Sequence, residues 1–354
     1  MTFFANTLSM TDPIGFEIRK ATSGDFLEDG YLSINPDVRV AVAQRKLGSG
    51  RKHFDLHGRD EGRLQRVPLG PLSDVRKMKI HKLRPLLRDD MPMRQRDGKL
   101  DFLTPELRDA AGLAEVENVS SHNYDEVARG IIDKHADGLV LDCGAGRRDW
   151  YFPNVVNYEI VDYDSTDVLG VGEELPFVDG AFDAVISVAV LEHVRDPFRC
   201  AKELARVLKP SGELFCCIPL LQPVHAYPHH YFNATPQGLC RLFESDIAVE
   251  EGSLTPIHPL WAISWVLNSW SQALPESTRA RFLDMPVGAL TGQPLALLDE
   301  PFAAELPREK QLELACATVL VAKKRALAAA PPKSAAPSLI ERLLWRYMRK
   351  SSPR

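Results

Sequence analysis

Cysteine is scarce, six in 354 residues, and none of Cys143, Cys200, Cys216, Cys217, Cys240 and Cys316 belongs to a CxxC pair. That spacing argues against a thiolate metal site and for a reduced, cytosolic thiol population. Charge of one sign is not in excess: the net charge of -5 gives no global reason to expect nucleic acid. No stretch reaches the ~18 uninterrupted apolar residues of a spanning helix, and the start MTFFANTLSMTDPIGFEIRK lacks a basic segment followed by a long apolar one. A signal peptide is therefore not expected. What remains is an ordinary globular composition, 45% apolar and 26% charged, with room for one domain of about 200 residues plus appended modules.

Residues 1–24 show no clear periodicity. Residues 25–70 hold a small helical module, in which Gly30 to Arg63 read as two short helices joined by Gly48-Ser49-Gly50, with Pro36 at a start and Gly58 at a stop. Its YL..NPDV...HF..HGR.EGR pattern resembles a module that accompanies bacterial glycosyltransferases and other cell-surface carbohydrate proteins. Residues 71–120 read as a basic linker with short helical pieces. Arg76, Lys77, Lys79, Lys82, Arg84, Arg88, Arg94 and Arg96 suggest a solvated face there, or else an anion site.

From Tyr124 the pattern changes to buried strands (GLVLDC, NVVNYEIV, Asp167 to Val171, FDAVISVAV, ELFCCIPL, ACATVLVAKK) separated by helical or loop stretches. Apolar runs of that length predict a parallel sheet covered on both faces, a doubly wound α/β domain over 121–326. An Ala/Pro-rich linker over 327–338 leads to residues 339–354, which carry five basic and one acidic residue, with Leu339, Ile340, Leu343 and Leu344 at helical spacing. This basic amphipathic helix fits docking on protein, or a peripheral contact with an anionic membrane surface through 339–350.

The strongest chemical signal is LVLDCGAG, an apolar strand ending in Asp142-x-Gly144-x-Gly146. Glycines at a strand end let the backbone turn tightly against a nucleotide. A dinucleotide fingerprint would have a third glycine where this chain has Asp149, so pyrophosphate binding by an NAD-dependent oxidoreductase is disfavoured. Asp142 instead suits an ammonium group. A second acid at the end of the next strand would accept ribose hydroxyls. Glu159, 13 residues past Gly146, is the first candidate and Asp162 the competitor.

These residues, with GVGEELPF and FD over 170–183, VAVLEHV over 188–194, Asp196-Pro197-Phe198 and ELARVLKPSG over 203–212, resemble the class I S-adenosylmethionine-dependent methyltransferases of the type 11 group. The resemblance implies a Rossmann-like, seven-stranded sheet and S-adenosylmethionine as cofactor. It implies a donor site of Asp142, Cys143, Gly144, Ala145, Gly146, Glu159, Glu173, Leu175 and Ala189. The family commonly has an adenine-binding aspartate where this chain has Val171, so Glu173 or a backbone carbonyl is the expected substitute. Ser187-Val-Ala-Val190 lacks the Asn/Asp-Pro-Pro-aromatic loop of amino-methylating enzymes, which favours a hydroxyl acceptor.

A hydroxyl acceptor needs a base, and His193, just beyond the fourth strand, is placed for it; a helix-start histidine bonded to backbone is the equal alternative. His225, His229 and His230, interleaved with Tyr227, Tyr231 and Phe232, form either an acceptor pocket or a surface loop. The candidate catalytic residues are His193, His225 and His229. With no carboxylate among the loop histidines, no metal is expected. Trp261 and Trp265 are an i, i+4 pair, and Ile263, Val266, Leu267 and Trp270 follow the spacing of one helical face; this aromatic stripe reads as core, with a dimer face or lipid-acceptor groove as the alternative.

The expected function is O-methylation of a sugar, polysaccharide precursor or other small acceptor by a bacterial enzyme working in the cytoplasm or at the inner face of the membrane. A non-catalytic nucleoside- or glycan-binding module in a surface-polysaccharide assembly is the alternative.

Overall fold

The computed structural model of the protein describes residues 12–113, 117–225, 228–245, 247, 254–291 and 294–316. Its strands are β1 (Ile14–Lys20), β2 (Leu64–Pro68), β3 (Arg94–Arg96), β4 (Lys99–Asp101), β5 (Val140–Cys143), β6 (Trp150–Tyr151), β7 (Val155–Glu159), β8 (Val168–Leu169), β9 (Phe182–Val188) and β10 (Leu208–Cys217). Its α-helices are α1 (Glu28–Ile34), α2 (Pro36–Ala43), α3 (Gly50–His53), α4 (Leu72–Leu83), α5 (Pro105–Ala111), α6 (Glu126–Lys134), α7 (Pro197–Val207), α8 (Pro236–Phe243), α9 (Leu260–Ala273), α10 (Glu276–Leu283), α11 (Pro301–Ala304) and α12 (Arg308–Glu313). By internal contacts the chain divides into two compact units, Met1–Ser269 and Trp270–Arg354.

The central sheet of the first unit runs β10-β9-β5-β7-β8-β4-β3, parallel throughout except for the β3–β4 hairpin at one edge. From β5 the chain builds β7 and β8 to one side, then returns to lay β9 and β10 on the other. The order therefore reverses at β5, the place where open α/β sheets bind ligands beyond their carboxyl ends. β5 and β7 are buried at every position, as strands covered on both faces must be. Side-chain caps start the helices α6 and α7 that flank the sheet: Asp125 accepts from the Ala128 N–H at 2.8 Å and Asp196 from the Arg199 N–H at 3.0 Å. On α7, Cys200, Ala201, Leu204 and Val207 form one buried stripe against Leu141, Val185 and Phe182.

The stretch expected to be a basic linker is instead part of the fold. β4 pairs with β8 and extends the sheet, while α4 buries Val75, Ile80 and Leu83. Arg76 and Lys79 are not on a solvated face. Lys79, 1% exposed, sets its Nζ 2.8 Å from Asp167 Oδ2, and Arg76 and the Tyr151 hydroxyl share Oδ1 of the same carboxylate. Lys99 binds Asp162 at 2.6 Å and Asp29 at 2.8 Å, and Arg66 binds Asp164 at 2.5 Å. Three acids of one loop, Asp162, Asp164 and Asp167, thus receive cations from the first hundred residues. Spacing alone could not show this, because each cation's partner lies at least 63 residues away.

A second, antiparallel sheet, β2-β1-β6, stands where a crossover helix would follow the glycine turn. The module over 28–63 contains α1, α2, α3 and a π-turn, Phe54–Gly58, around Tyr31, Val38 and Phe54. Its motif residues are structural: the Tyr31 hydroxyl meets His53 Nδ1 at 2.9 Å, and Arg63 clasps Asp37 with contacts of 2.8 and 3.1 Å. Gly58 is required because a Cβ there would lie 2.1 Å from the Tyr31 hydroxyl.

In the second unit, Trp270, Phe282 and Phe302 pack together, with Trp270 Nε1 donating to the Phe302 carbonyl at 2.7 Å. Trp261 and Trp265 are not core residues as expected: they are 74% and 42% exposed. The first unit takes in the N-terminal module and ends within α9. The expected last strand lies almost wholly, and the basic helix over 339–354 wholly, outside the described residues. Among the described residues no helix is long and apolar enough to cross a membrane, and no disulfide forms.

Candidate functional site

The turn after β5 has left-handed backbone at Gly144 (φ 76°) and Gly146 (φ 64°), which glycine adopts without penalty. The Gly144 and Ala145 N–H groups bond the Tyr158 carbonyl at 2.9 and 3.1 Å, fastening the turn to β7. Glu159, the last residue of β7, completes the fastening: its Oε2 accepts the Gly146 N–H at 2.7 Å and its Oε1 the Ile160 N–H at 2.8 Å. Burial pushes the Glu159 carboxyl above its usual range, against the pull of those N–H donors. The competitor Asp162 is engaged elsewhere, between Lys99 and Arg96.

Asp142 ends β5 fully buried. Arg148 brings Nη2 to 2.7 Å and Nε to 2.9 Å from Oδ2, and the Tyr124 hydroxyl donates to the same oxygen at 2.5 Å. Its Oδ1 has no hydrogen-bond partner among the described residues. One oxygen therefore fixes the carboxylate while the other, also out of contact with solvent, keeps an unmet acceptor for a donor such as an ammonium group. Ser187 Oγ, near the end of neighbouring β9, is another buried polar atom without a partner among the described residues. The glycine turn and this pair of unmet atoms fit the methionine end of a sulfonium nucleoside.

The remaining donor-site expectations fare unevenly. Cys143 and Leu175 are core residues packed with Tyr158 and Phe177, so their side chains offer no exposed surface. Both substitutes for the missing adenine aspartate already hold partners: the Val171 carbonyl accepts from the Tyr158 hydroxyl at 2.9 Å, and Glu173 Oε1 from the Arg195 N–H at 3.1 Å. Ala189 is exposed at the end of β9 with φ 56°, a conformation that costs a non-glycine residue energy.

That bend leads into Glu192 and His193, where a second cluster forms. The Glu192 carbonyl accepts the Tyr231 N–H at 2.6 Å and the Phe232 N–H at 3.3 Å, tying the loop after β9 to the histidine loop after β10. The His193 ring lies 4.8 Å from that of His225 and 5.6 Å from that of His230, centroid to centroid; His225 also meets Trp265 at 5.6 Å. The His193 Nδ1 donates to the His229 carbonyl at 2.5 Å, and the His225 Nδ1 to the Pro223 carbonyl at 3.0 Å. A carbonyl only accepts, so each ring carries its proton on Nδ1.

His229 is not one of this group: its own ring reaches the Gly112 carbonyl at 3.0 Å, and its backbone positions His193. Tyr227 lies outside the described residues. Glu192 was missed from the sequence. Its side chain is fully buried, neither carboxylate oxygen has a hydrogen-bond partner among the described residues, and burial pushes its carboxyl up to about 7. Burial holds the neighbouring His193 down to about 4, hence neutral at physiological pH. The expectation that no carboxylate stands among the histidines is therefore overturned.

Residues 152–216 match the model of a family described as "Methyltransferase domain". A tRNA U34 carboxymethyltransferase of Syntrophotalea carbinolica is 50% identical over 42 residues, 12% of this chain and 13% of that protein. A demethylmenaquinone methyltransferase of Clavibacter sepedonicus is 32% identical over 121 residues, 32% of this chain and 45% of that one. The chain spans less than half the length of these curated relatives. Among solved structures, a Burkholderia thailandensis 1,6-didemethyltoxoflavin-N1-methyltransferase with bound S-adenosylhomocysteine is similar at 19% identity, covering 34% of this chain and 65% of that one, with a TM-score of 0.27. Residues 152–216 thus match a methyltransferase domain, and the sheet built on β5 to β10 has a doubly wound, Rossmann-like strand order.

Proposed function

We propose that the protein transfers a methyl group from S-adenosylmethionine to a hydroxyl of a small acceptor, a sugar or polysaccharide precursor being the first class to try. The observation that carries this reading is the joining of the Gly144–Gly146 turn to Glu159 beside the buried Asp142 Oδ1, which has no partner among the described residues, at the point where the strand order reverses. Gly144 and Gly146 let the nucleoside approach the backbone. Glu159 accepts ribose hydroxyls on lone pairs its N–H donors leave over, and Asp142 Oδ1 receives the ammonium.

The bound cofactor supplies an electrophilic methyl group for in-line displacement, so the protein has only to position the acceptor, exclude water and take up one proton. His193, neutral and with its Nδ1 proton held by backbone, presents Nε2 for that proton. Tyr231, Phe232 and Trp265, each partly exposed beside the histidines, are suited to the face of a sugar ring.

Calorimetric titration with S-adenosylmethionine and S-adenosylhomocysteine, with NAD as control, tests the reading. Saturable binding of the sulfur nucleosides alone supports it, and an acceptor screen on glycans follows. Absence of that binding sinks it.

A further inference from the structure

We infer that Glu192, His193 and His225 form a binding site for a divalent transition-metal ion of the zinc or manganese kind, beside the donor site. The three residues offer one ligand atom each, all within 4.8 Å of one another, and Glu192 Oε1 is already 3.9 Å from His193 Nε2. Two imidazoles and one carboxylate are a recurrent ligand set for catalytic ions that keep positions open for water or substrate.

Two independent features support the assignment. First, the Glu192 carboxylate is fully buried with both oxygens lacking a hydrogen-bond partner among the described residues. A group of that kind is costly unless it is protonated or a cation joins it. Second, both histidines have Nδ1 turned to a backbone carbonyl, His193 to His229 and His225 to Pro223. Metal-bound histidines are oriented in this way by their outer partners, which fix the tautomer and leave Nε2 as ligand. The bonds from the Tyr231 and Phe232 N–H groups to the Glu192 carbonyl hold the two loops together, so the site is assembled by the fold.

With bonds of about 2.1 Å, tetrahedral ligand atoms stand about 3.4 Å apart; rotation of the three side chains closes the difference. In the proposed reaction, to which this part of the inference is tied, the ion takes the acceptor oxygen at an open position and lowers its pKa. With the ion bound, His193 Nε2 is a ligand and does not take the proton: the hydroxyl proton leaves to solvent, the C–O bond forms as the C–S bond breaks, and the sulfonium becomes a neutral thioether.

The test is titration of the metal-stripped full-length protein with Co²⁺, followed by visible absorption, with Zn²⁺ and Mn²⁺ binding measured by calorimetry. One equivalent is expected to bind, and His225→Ala and Glu192→Gln are each expected to weaken Co²⁺ binding by more than about tenfold. Circular dichroism confirms folding; should Glu192→Gln misfold, His225→Ala and His193→Ala carry the comparison. No saturable binding by the wild type, or binding that His225→Ala leaves unchanged, overturns the site. S-adenosylmethionine binding is measured separately: metal binding without it keeps the site and removes the methyltransferase reading, and the reverse result does the opposite.

Discussion

Arg148 grips one oxygen of Asp142 with two nitrogens, at 2.7 and 2.9 Å, and both side chains are almost wholly out of water. The acid of the proposed donor site is therefore also half of a buried ion pair. Removing one partner leaves the other charged and unsatisfied. Asp142→Ala is expected to cost about 3–5 kcal/mol of stability, measured by urea denaturation. Asp142→Asn, which keeps an acceptor for Arg148, is expected to fold and to lose donor affinity instead.

Glu159 is buried with its pKa raised, and in the proposed donor site ribose hydroxyls would donate to its charged form. Binding therefore favours deprotonation. Donor affinity should be constant well above the raised pKa and should fall as the pH drops through it, starting above the 4.5 of an ordinary glutamate. Calorimetry across a pH series checks this; an affinity independent of pH would remove Glu159 from the site. Glu159→Gln, whose amide nitrogen faces an N–H donor whichever way it turns, should weaken binding by about 1.5–3 kcal/mol.

Lys79 and Asp167 link the N-terminal hundred residues to the central sheet. Lys79→Met should cost about 3 kcal/mol, at the low end for a broken buried pair because Arg76 and Tyr151 remain on Asp167. Deleting residues 1–101 removes Arg66, Arg76, Lys79, Arg96 and Lys99 from Asp162, Asp164 and Asp167, together with two strands of the main sheet. The remainder is expected to be insoluble or unfolded by circular dichroism.

Trp261 is 74% exposed, so Trp261→Ser should change stability by no more than about 0.5 kcal/mol. A loss of several kcal/mol in thermal or urea unfolding would show that this face of α9 is covered.

Asp162 bears on acid stability. Lys99 and Arg96 hold its carboxyl below the usual range despite burial. Its contribution is complete above the ordinary aspartate pKa, about 3.9, and is lost as the pH falls through the lowered value. Lys99→Met should remove part of that contribution, moving the acid-unfolding midpoint to higher pH.

Residues that act through local geometry were legible from their order in the chain. β5 and its glycine turn, the end of β7 at Glu159 and Pro36 at the start of α2 each rest on a strand end or a fixed φ, settled within a few residues. The adenine side was less legible: Val171 was recognised as a departure, yet the partners already on its carbonyl and on Glu173 come from Tyr158 and Arg195, in other elements.

The sequence by itself determined the parallel sheet, the turn that opens its binding edge and the short crossover that leaves no length for a helix. Hydrophobic period and backbone conformation are local properties. Only the tertiary structure decided that the basic stretch is an interior ionic framework and that Glu192 joins His193 and His225. Charges have no periodicity that announces a distant partner, and Coulomb attraction and desolvation act on distances through space, which are set only once the sheet has closed.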